Sequence, residues 1–324
     1  MIGAGSWATA LVKILTESPV KVHWWLRNQQ ALRHIETYRH NPNYLSDVAI
    51  HPEKVTLFSD IGEAVKEVDY VIIAIPAAFV WEALRPLQPN DLANKTLVSA
   101  VKGVIPEKNW LVTELLEQVY QVSYENITVI AGPCHAEEVA LEKQSYLTIA
   151  SENLSRATHF ADLLSNRYIK ATPSNDVFGV EYVAIMKNII ALACGIAHGL
   201  NYGDNFQAVL VANAMQEITR FVTTAYPQQR DLNASAYLGD LLVTAYSQFS
   251  RNRTFGNMIG RGYTVKSAQV EMNMIAEGYY AVKSIYALNQ QFQVDMPITH
   301  AVYNILYQKA NPAQEVGKLK TLLQ

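Results

Sequence analysis

The chain has 324 residues, long enough for two domains with hydrophobic cores, and its 50% hydrophobic and 17% charged residues exclude a disordered protein. The net charge of −3 provides no basic field, which excludes a general nucleic-acid partner. A small anionic ligand therefore needs a local cluster of Lys and Arg.

Residues 1–12, MIGAGSWATALV, carry a glycine pattern followed at once by an apolar helical period. Gly3, Gly5 and Ala8 have the spacing of G-x-G-x-x-G/A, in which Gly3 allows a tight turn, Gly5 leaves room for a pyrophosphate, and Ala8 lets helix and strand pack closely. The first amides of the helix then face the phosphates. The pattern indicates dinucleotide binding, with a glycine turn capping an ordinary helix as the alternative.

A strand of about six apolar residues normally precedes this pattern and lies at the centre of the sheet. Only Met1 and Ile2 precede Gly3 in this sequence. We therefore expect the first strand to be truncated in the chain as given.

The run Val20–Leu26, VKVHWWL, is β-branched and aromatic and predicts the second strand. An NAD-preferring fold usually has Asp or Glu at the end of this strand, but Arg27 and Asn28 occupy the position here. Arg27 is suited to pair with a 2′-phosphate, so NADPH is at least tolerated; a solvated Arg at a strand end is the alternative.

Further short apolar runs alternate with helical segments along the first half of the chain. They predict strands at Asp69–Pro76, Thr96–Ala100, Ile127–Ala131, Tyr146–Ala150 and Tyr168–Ala171. Lys102 directly follows the second of these, at the edge where such sheets bind ligands, although a surface lysine in a loop fits equally well. Pro173, Ser174 and Asn175 indicate a domain boundary. The sequence predicts an α/β Rossmann-type, doubly wound and mostly parallel sheet over residues 1–174.

The two cysteines, Cys134 and Cys194, form neither a disulfide framework nor a metal-ligand spacing, which indicates a reducing cytoplasm and no metal site. Cys134 and His135 are adjacent, but no third partner has the spacing of a nucleophile and its base, so a catalytic pair is disfavoured. No signal segment and no sufficiently long apolar run are evident, so stable membrane insertion is not expected.

The second half of the chain, residues 175–324, changes to long segments of helical period. Helices are predicted at Val180–His198, Gln207–Tyr226, Val265–Asn289 and Pro297–Lys309. This pattern predicts an all-α domain that binds the substrate.

Three polar positions interrupt these apolar helices. Lys187 stands in YVAIMKNIIALACGIA, where desolvation moves the pKa of a lysine toward neutrality and suits it to acid-base chemistry. Asp240 follows Gly239 in a turn-to-helix setting and is expected to be an N-cap. Arg251 lies in SRNRTFG, a cluster suited to gripping a phosphate. The alternatives are a lysine that snorkels to solvent and a solvated basic turn.

In combination, these motifs make the chain resemble the bacterial NAD(P)-dependent glycerol-3-phosphate dehydrogenases. The resemblance covers essentially the whole chain. Its motifs, in family order, are GAGSWATAL, the Lys102-Gly103 turn, GPCHAEEVA, MKNIIALACGIAHGLNYGDN, GDLLVT, SRNRTFG, AEGYYAVK and MPITHAVY. It implies reduction of dihydroxyacetone phosphate to sn-glycerol 3-phosphate for phospholipid synthesis, with NADP(H) or NAD(H) as cofactor and a homodimer as the assembly.

The resemblance also implies roles for individual residues. Lys187 matches the catalytic acid/base, and Asp240 would orient it while belonging to the substrate site. The other implied substrate contacts are Lys102, Gly132, Cys134, Asn188, Thr244, Ser250, Arg251 and Asn252. The implied cofactor contacts, with the glycine turn of Gly3 and Gly5, are Ser6, Trp7, Arg27, Lys102, Ala136, Arg251, Ile275 and Glu277. Cys134 departs from the family pattern, which has serine there, so the resemblance does not carry over any hydroxyl contact at this position.

Two alternatives remain at this point. A related two-domain dehydrogenase, of the β-hydroxyacid dehydrogenase or ketopantoate reductase type, shares the nucleotide-binding half and a helical lysine, but SRNRTFG argues against it. A nucleotide-binding protein without turnover is the other alternative, and the presence of Lys187, Asp240 and Arg251 argues against that one.

Overall fold

The computed structural model describes residues 1–106, 108–272 and 276–324, which form two compact units. Unit 1 comprises residues 1–101 and 110–177, and unit 2 comprises residues 102–109 and 178–324. Unit 1 contains the described strands and their covering helices, whereas unit 2 is built from helices.

The sheet of unit 1 is mostly parallel, as its apolar runs predict. Its strands are β1 (Val22–Trp25), β2 (Val55–Phe58), β3 (Tyr70–Ile73), β4 (Thr96–Ser99), β5 (Ile127–Ala131), β6 (Ser145–Ala150) and β7 (Ile169–Ser174). One group pairs β1 with β2, and the other has the order β3-β4-β5-β6-β7. Every pair is parallel except β5 with β6. The strand β2 was not among the predicted elements, because VTLF is a short run within a polar segment.

Residues 1–3 join the two groups of strands. Ile2 forms parallel bridges to Trp25 of β1 and to Ile73 of β3. Its amide donates to Ile72 O at 2.7 Å, and its carbonyl accepts from Ala74 N at 2.9 Å. These three residues therefore lie between β1 and β3 and pair with both strands, and the glycine turn begins at Gly3.

Unit 1 has eight described helices, and short polar side chains cap three of them. They are α1 (Ser6–Thr16), α2 (Gln29–Tyr38), α3 (Ile61–Val65), α4 (Val80–Leu84), α5 (Pro89–Leu92), α6 (Val112–Tyr120), α7 (Ala136–Ala140) and α8 (Leu154–Leu164). Asn28 caps α2 by accepting from Gln30 N and Ala31 N, and Asp60 and Asn153 cap α3 and α8. Asn28, which follows Arg27, therefore stabilises the start of α2.

Unit 2 is a set of helices around one apolar core helix. They are α9 (Val177–Gly199), α10 (Asp204–Ala225), α11 (Asp240–Tyr246), α12 (Arg251–Gly260), α13 (Val265–Glu271), α14 (Glu277–Phe292), α15 (Pro297–Tyr307) and α16 (Pro312–Leu322). Within the described residues, α9 alone has the length and hydropathy of a membrane span, and 94% of its most apolar window is buried inside the protein. It is the core helix of this unit.

The single helix predicted for Val265–Asn289 is wrong. The structure has two helices, α13 and α14, and both Met272 and Ala276 have extended backbone. Residues 272–276 contain neither glycine nor proline, so the apolar pattern with a period of 3.6 residues gives no signal that α13 ends there.

Helices α9 and α12 cross at four glycines, spaced G-x-x-x-G on each helix. A methyl group on Gly195 would lie under 3.0 Å from Arg253 O, and one on Gly256 would lie equally close to Leu192 O. Gly199 and Gly260 are as tightly packed against the facing backbone. The two helix backbones are therefore in direct contact, which only glycine permits.

Candidate active site

The centre of the candidate site in unit 2 is a buried ion pair between α9 and α11. Lys187 Nζ donates a hydrogen bond to Asp240 Oδ1. The side chains of Lys187 and Asp240 are 4% and 1% exposed. The alternative of a lysine that snorkels to solvent is therefore excluded. Burying two charges this deeply carries a desolvation cost that their mutual attraction has to offset.

Burial is the main reason that the pKa of Lys187 is lowered from 10.5 to about 8. The negative charge of Asp240 opposes this shift, and the positive charge of Lys102 adds to it. Lys187 is consequently able to give or take a proton near neutral pH.

Asp240 begins α11 directly after an unusual turn. Residues Ser235–Gly239 form a π-helical turn that runs into α11, and Gly239, already in the right-handed helical region, takes the N-cap position. The expectation that Asp240 is an N-cap is thus wrong. As the first residue of α11, it uses its carboxylate for Lys187 instead, and π-turns are frequent at functional sites.

Lys102 and Asn188 are also brought together in unit 2. Asn188 Nδ2 donates to the backbone carbonyl of Lys102 at 3.1 Å. Asn188 follows Lys187 on α9 and is 5% exposed. This bond ties the Lys102 backbone to the helix that carries Lys187. That these residues act in one site stays a prediction.

Three further predicted residues are buried and help to hold unit 2 together. Thr244 Oγ1 donates to Asp240 O at 2.7 Å, and Ser250 caps α12 by accepting from Arg253 N. Asn252 Oδ1 accepts from the amide of Gly278 at 2.9 Å, which links α12 to the first turn of α14. Their role as substrate contacts stays a prediction.

Arg251 is the first residue of α12 and is exposed, in contrast to its buried neighbours. Glu277 is the first residue of α14 and half-buried. Ile275, predicted as a cofactor contact, lies outside the described residues. Arg251 presents part of its surface to solvent, and its contact with a phosphate stays a prediction.

In unit 1, the glycine turn has the form that a pyrophosphate requires. Gly3 has φ +120°, and a methyl group there would lie under 3.0 Å from Ala74 O, so the chain must turn closely past β3. A methyl group on Gly5 would meet nothing within 4 Å. Gly5 is the N-cap of α1 without a side-chain cap, so the first amides of the helix, from Ser6 onward, are available to an anion.

The remaining predicted contacts of unit 1 lie near the carboxyl ends of its strands. Trp7 follows Ser6 in the first turn of α1, and Arg27 follows β1, with its guanidinium 5.7 Å from the ring centre of Phe79. Gly132 follows β5 with φ +120°, where a methyl group would lie 2.7 Å from Tyr146 O. Cys134 is buried, and Ala136 begins α7. Their contacts to ligands stay predictions.

No group of three or more His, Cys, Asp and Glu side chains in residues 1–106, 108–272 and 276–324 is arranged to hold a metal ion.

Comparison with known proteins assigns the chain to a family. Residues 1–157 match the model of the NAD-dependent glycerol-3-phosphate dehydrogenase N-terminus, and residues 176–317 match that of its C-terminus. The chain belongs to the NAD-dependent glycerol-3-phosphate dehydrogenase family. The resemblance inferred from the motifs is thereby confirmed.

Two relatives and one solved structure of this family illustrate the similarity. A glycerol-3-phosphate dehydrogenase (NAD(P)+) of Oceanobacillus iheyensis is 36% identical over 319 residues, which cover 98% of this chain and 92% of that protein. The protein of the same name from Bacillus subtilis is 35% identical over 318 residues, which cover 97% of this chain and 92% of that protein. The crystal structure of glycerol-3-phosphate dehydrogenase from Coxiella burnetii is 30% identical in sequence and has a TM-score of 0.92. The match covers 98% of this chain and 97% of that chain.

The sequence reasoning missed several residues that contact the glycine turn, namely Thr9, Trp24 and Asn41. The only signal for them was that Asn41 opens the turn-forming segment NPNYLSD. The sequence around a short polar side chain in a loop does not show to which distant backbone carbonyl it donates a hydrogen bond.

Proposed function

We propose that this protein is an NAD(P)-dependent glycerol-3-phosphate dehydrogenase that reduces dihydroxyacetone phosphate to sn-glycerol 3-phosphate, reversibly. The observation that carries the proposal is the buried Lys187 and Asp240 pair in a chain of this family. The pair supplies a proton donor with a lowered pKa, which reduction of a ketone requires.

The glycine turn and the first turn of α1 fit a dinucleotide, because Gly5 leaves open space and the amides of the helix start attract the pyrophosphate. When bound, NADPH or NADH supplies the hydride. We propose that Gly3, Gly5, Ser6 and Trp7 hold the pyrophosphate. Arg27, exposed at the end of β1, is suited to a 2′-phosphate.

Lys187 acts on the oxygen of the carbonyl that is reduced. As that oxygen gains negative charge, the ammonium of Lys187 stabilises the charge and donates a proton. Asp240 holds the ammonium in one direction through its hydrogen bond. Lys102, whose charge lowers the pKa of Lys187, adds positive potential in the same place.

Arg251 grips the phosphate of the substrate. Its guanidinium is suited to a bidentate contact with a dianion, and it is exposed at the N-terminus of α12, where the helix dipole also favours an anion. Holding the group that does not react fixes the carbonyl in position, and this proximity contributes to the rate.

The test is to mix the purified protein with NADPH or NADH and dihydroxyacetone phosphate and to follow the loss of absorbance of the reduced nicotinamide. The proposal predicts consumption that depends on the phosphorylated ketone. Ketopantoate and unphosphorylated dihydroxyacetone are the matched controls. Consumption with ketopantoate but not with dihydroxyacetone phosphate would support the related reductases instead, and no consumption with any of them would support a nucleotide-binding protein without turnover.

The pH dependence of the reaction follows from the lowered pKa of Lys187, which is about 8 before substrate binds. Reduction needs the protonated lysine, so we expect kcat/KM for dihydroxyacetone phosphate to decrease as the pH rises through about 8. Oxidation of glycerol 3-phosphate needs the neutral lysine, so its kcat/KM should increase over the same range. Profiles from about pH 6 to about pH 10 in both directions check this. Two parallel profiles would contradict the assignment of Lys187.

Substitution of Arg251 tests the phosphate grip. Arg251→Ala should raise KM for dihydroxyacetone phosphate about tenfold or more, since a charged hydrogen bond contributes about 1.5–3 kcal/mol, and kcat should fall less. Arg261→Ala, at the other end of α12, is the matched control and should change neither constant. Steady-state kinetics of the three proteins give the answer. An unchanged KM in Arg251→Ala would remove Arg251 from the site.

We further propose that residues 1–174 are the cofactor domain and residues 175–324 the substrate domain. The homodimer and the cytoplasmic location are proposed from the family resemblance. Cys134 and Cys194 are buried and form no disulfide bond, which is in keeping with a reducing compartment. Sedimentation of the purified protein tests the dimer.

A further inference from the structure

Each carbonyl oxygen of the glycine turn, residues 3–5, accepts a hydrogen bond from a side chain outside the turn. Trp24 Nε1 donates to the first at 2.6 Å, Asn41 Nδ2 to the second at 3.0 Å, and Thr9 Oγ1 to the third at 3.0 Å. Trp24, Asn41 and Thr9 are almost completely buried. The three oxygens are thus all directed inward to buried donors, and the third also accepts from Thr9 N at 2.9 Å as the first backbone hydrogen bond of α1.

The direction of these oxygens determines what the turn offers to a ligand. In a planar trans peptide, the N–H points opposite to the C=O. When the carbonyls of residues 3–5 point inward, the N–H groups of Ala4, Gly5 and Ser6 point the other way. Amides attract a pyrophosphate, whereas carbonyl oxygens repel it. A reversal of any one of these peptides would replace an attractive group by a repulsive one.

Asn41 has the largest share in this arrangement. The second hydrogen of Nδ2 goes to Thr9 Oγ1 at 2.9 Å, so Asn41 also holds the hydroxyl that donates to the third carbonyl. Its Oδ1 accepts from Asn43 N at 3.0 Å and Tyr44 N at 3.2 Å, which fixes the side chain in one orientation. All the hydrogen-bonding capacity of this 1% exposed amide is therefore committed, and two of its bonds serve the glycine turn directly or through Thr9.

We propose that Asn41 is a positioning residue for the pyrophosphate of the cofactor: it holds the peptide between Ala4 and Gly5 with its oxygen inward and its N–H toward the phosphates. It acts through the backbone of the turn. The inference rests on the proposed function, because it takes a dinucleotide to be the ligand of this turn.

The substitution Asn41→Asp tests this most directly. It keeps Oδ1 for the two backbone amides but puts a carboxylate oxygen against Ala4 O and Thr9 Oγ1, where a donor is needed. Loss of a buried hydrogen bond with a partner left unsatisfied costs about 1–3 kcal/mol, so we expect the Kd of NADPH, from fluorescence titration, to increase about tenfold or more. At saturating NADPH, kcat should stay within about twofold of the wild type, because the reacting groups are unchanged.

A second pair of variants keeps the test valid if Asn41→Asp folds poorly. Thr9→Val removes, at nearly constant volume, the hydroxyl that accepts from Asn41 and donates to Gly5 O, and it should also raise the Kd of NADPH. Thr9→Ser retains the hydroxyl and should keep the wild-type Kd. Asn289→Asp is the matched control for instability. Asn289 of unit 2 likewise donates from Nδ2 to a carbonyl, that of Val294, and accepts from the Val294 amide. It should lower the melting temperature without changing the Kd.

An unchanged Kd in both Asn41→Asp and Thr9→Val, with the wild type active, would overturn the inference and leave the proposed function intact. An equal increase in Asn289→Asp would overturn it as well, since the effect would then be general instability. A wild-type protein that binds neither NADPH nor NADH would contradict the proposed function and this inference together.

Discussion

Lys187→Met is expected to lower kcat for reduction of dihydroxyacetone phosphate by about a hundredfold to ten-thousandfold, the usual contribution of a positioned proton donor. Methionine fills nearly the same volume in the apolar surroundings of α9 but has no proton to give. The dinucleotide is held by unit 1 in the proposal, so the Kd of NADPH should stay close to the wild-type value. Steady-state kinetics and a fluorescence titration measure the two quantities.

The control variants separate catalysis from folding. Removing Lys187 alone takes the lysine counter-ion away from the buried carboxylate of Asp240, which costs about 3–5 kcal/mol of stability. The double variant Lys187→Met with Asp240→Asn removes that charge and should recover much of the melting temperature while turnover stays low. Lys283→Ala changes an exposed lysine of α14 and should alter neither property. Near wild-type turnover in Lys187→Met would refute the assigned role.

Gly195→Ala and Gly256→Ala are each expected to lower the free energy of unfolding by about 2–3 kcal/mol. A methyl group at either position lies under 3.0 Å from the backbone of the facing helix, and backbone cannot relieve the overlap by changing rotamer. For a unit of this size, each kcal/mol corresponds to about 2–4 °C of melting temperature. Thermal and urea unfolding of each variant measure the loss.

Gly317→Ala is the matched control for these substitutions. Gly317 also lies within a helix, α16, but a methyl group there meets nothing within 4 Å. Alanine should therefore stabilise the protein by about 0.5–1 kcal/mol through its better helix propensity. The variant with both Gly195→Ala and Gly256→Ala should lose less than the sum of the two, because the helices are already separated by the first methyl group. A neutral effect of Gly195→Ala would mean that the crossing of α9 and α12 adjusts at little cost.

Sequence alone determined the features of this protein that depend on local order along the chain. The spacing of Gly3, Gly5 and Ala8 predicts a phosphate-binding turn because each requirement concerns the backbone at that residue. The apolar neighbours of Lys187 predict its burial because a helix that is apolar all round lies in the core. The alternation of strands with helices, followed by long helices, predicts the fold class for the same reason.

Tertiary structure decided which distant side chains meet. The partner of Lys187, Asp240, is 53 positions away, on a helix that follows a π-helical turn. Asn41 reaches Ala4 across 37 positions, a contact invisible in a segment that predicts only a turn. Glycines in G-x-x-x-G spacing have no meaning until the facing helix is known. Such contacts are made by folding the chain back on itself, so periodicity and propensity, which describe neighbours in sequence, carry no information about them.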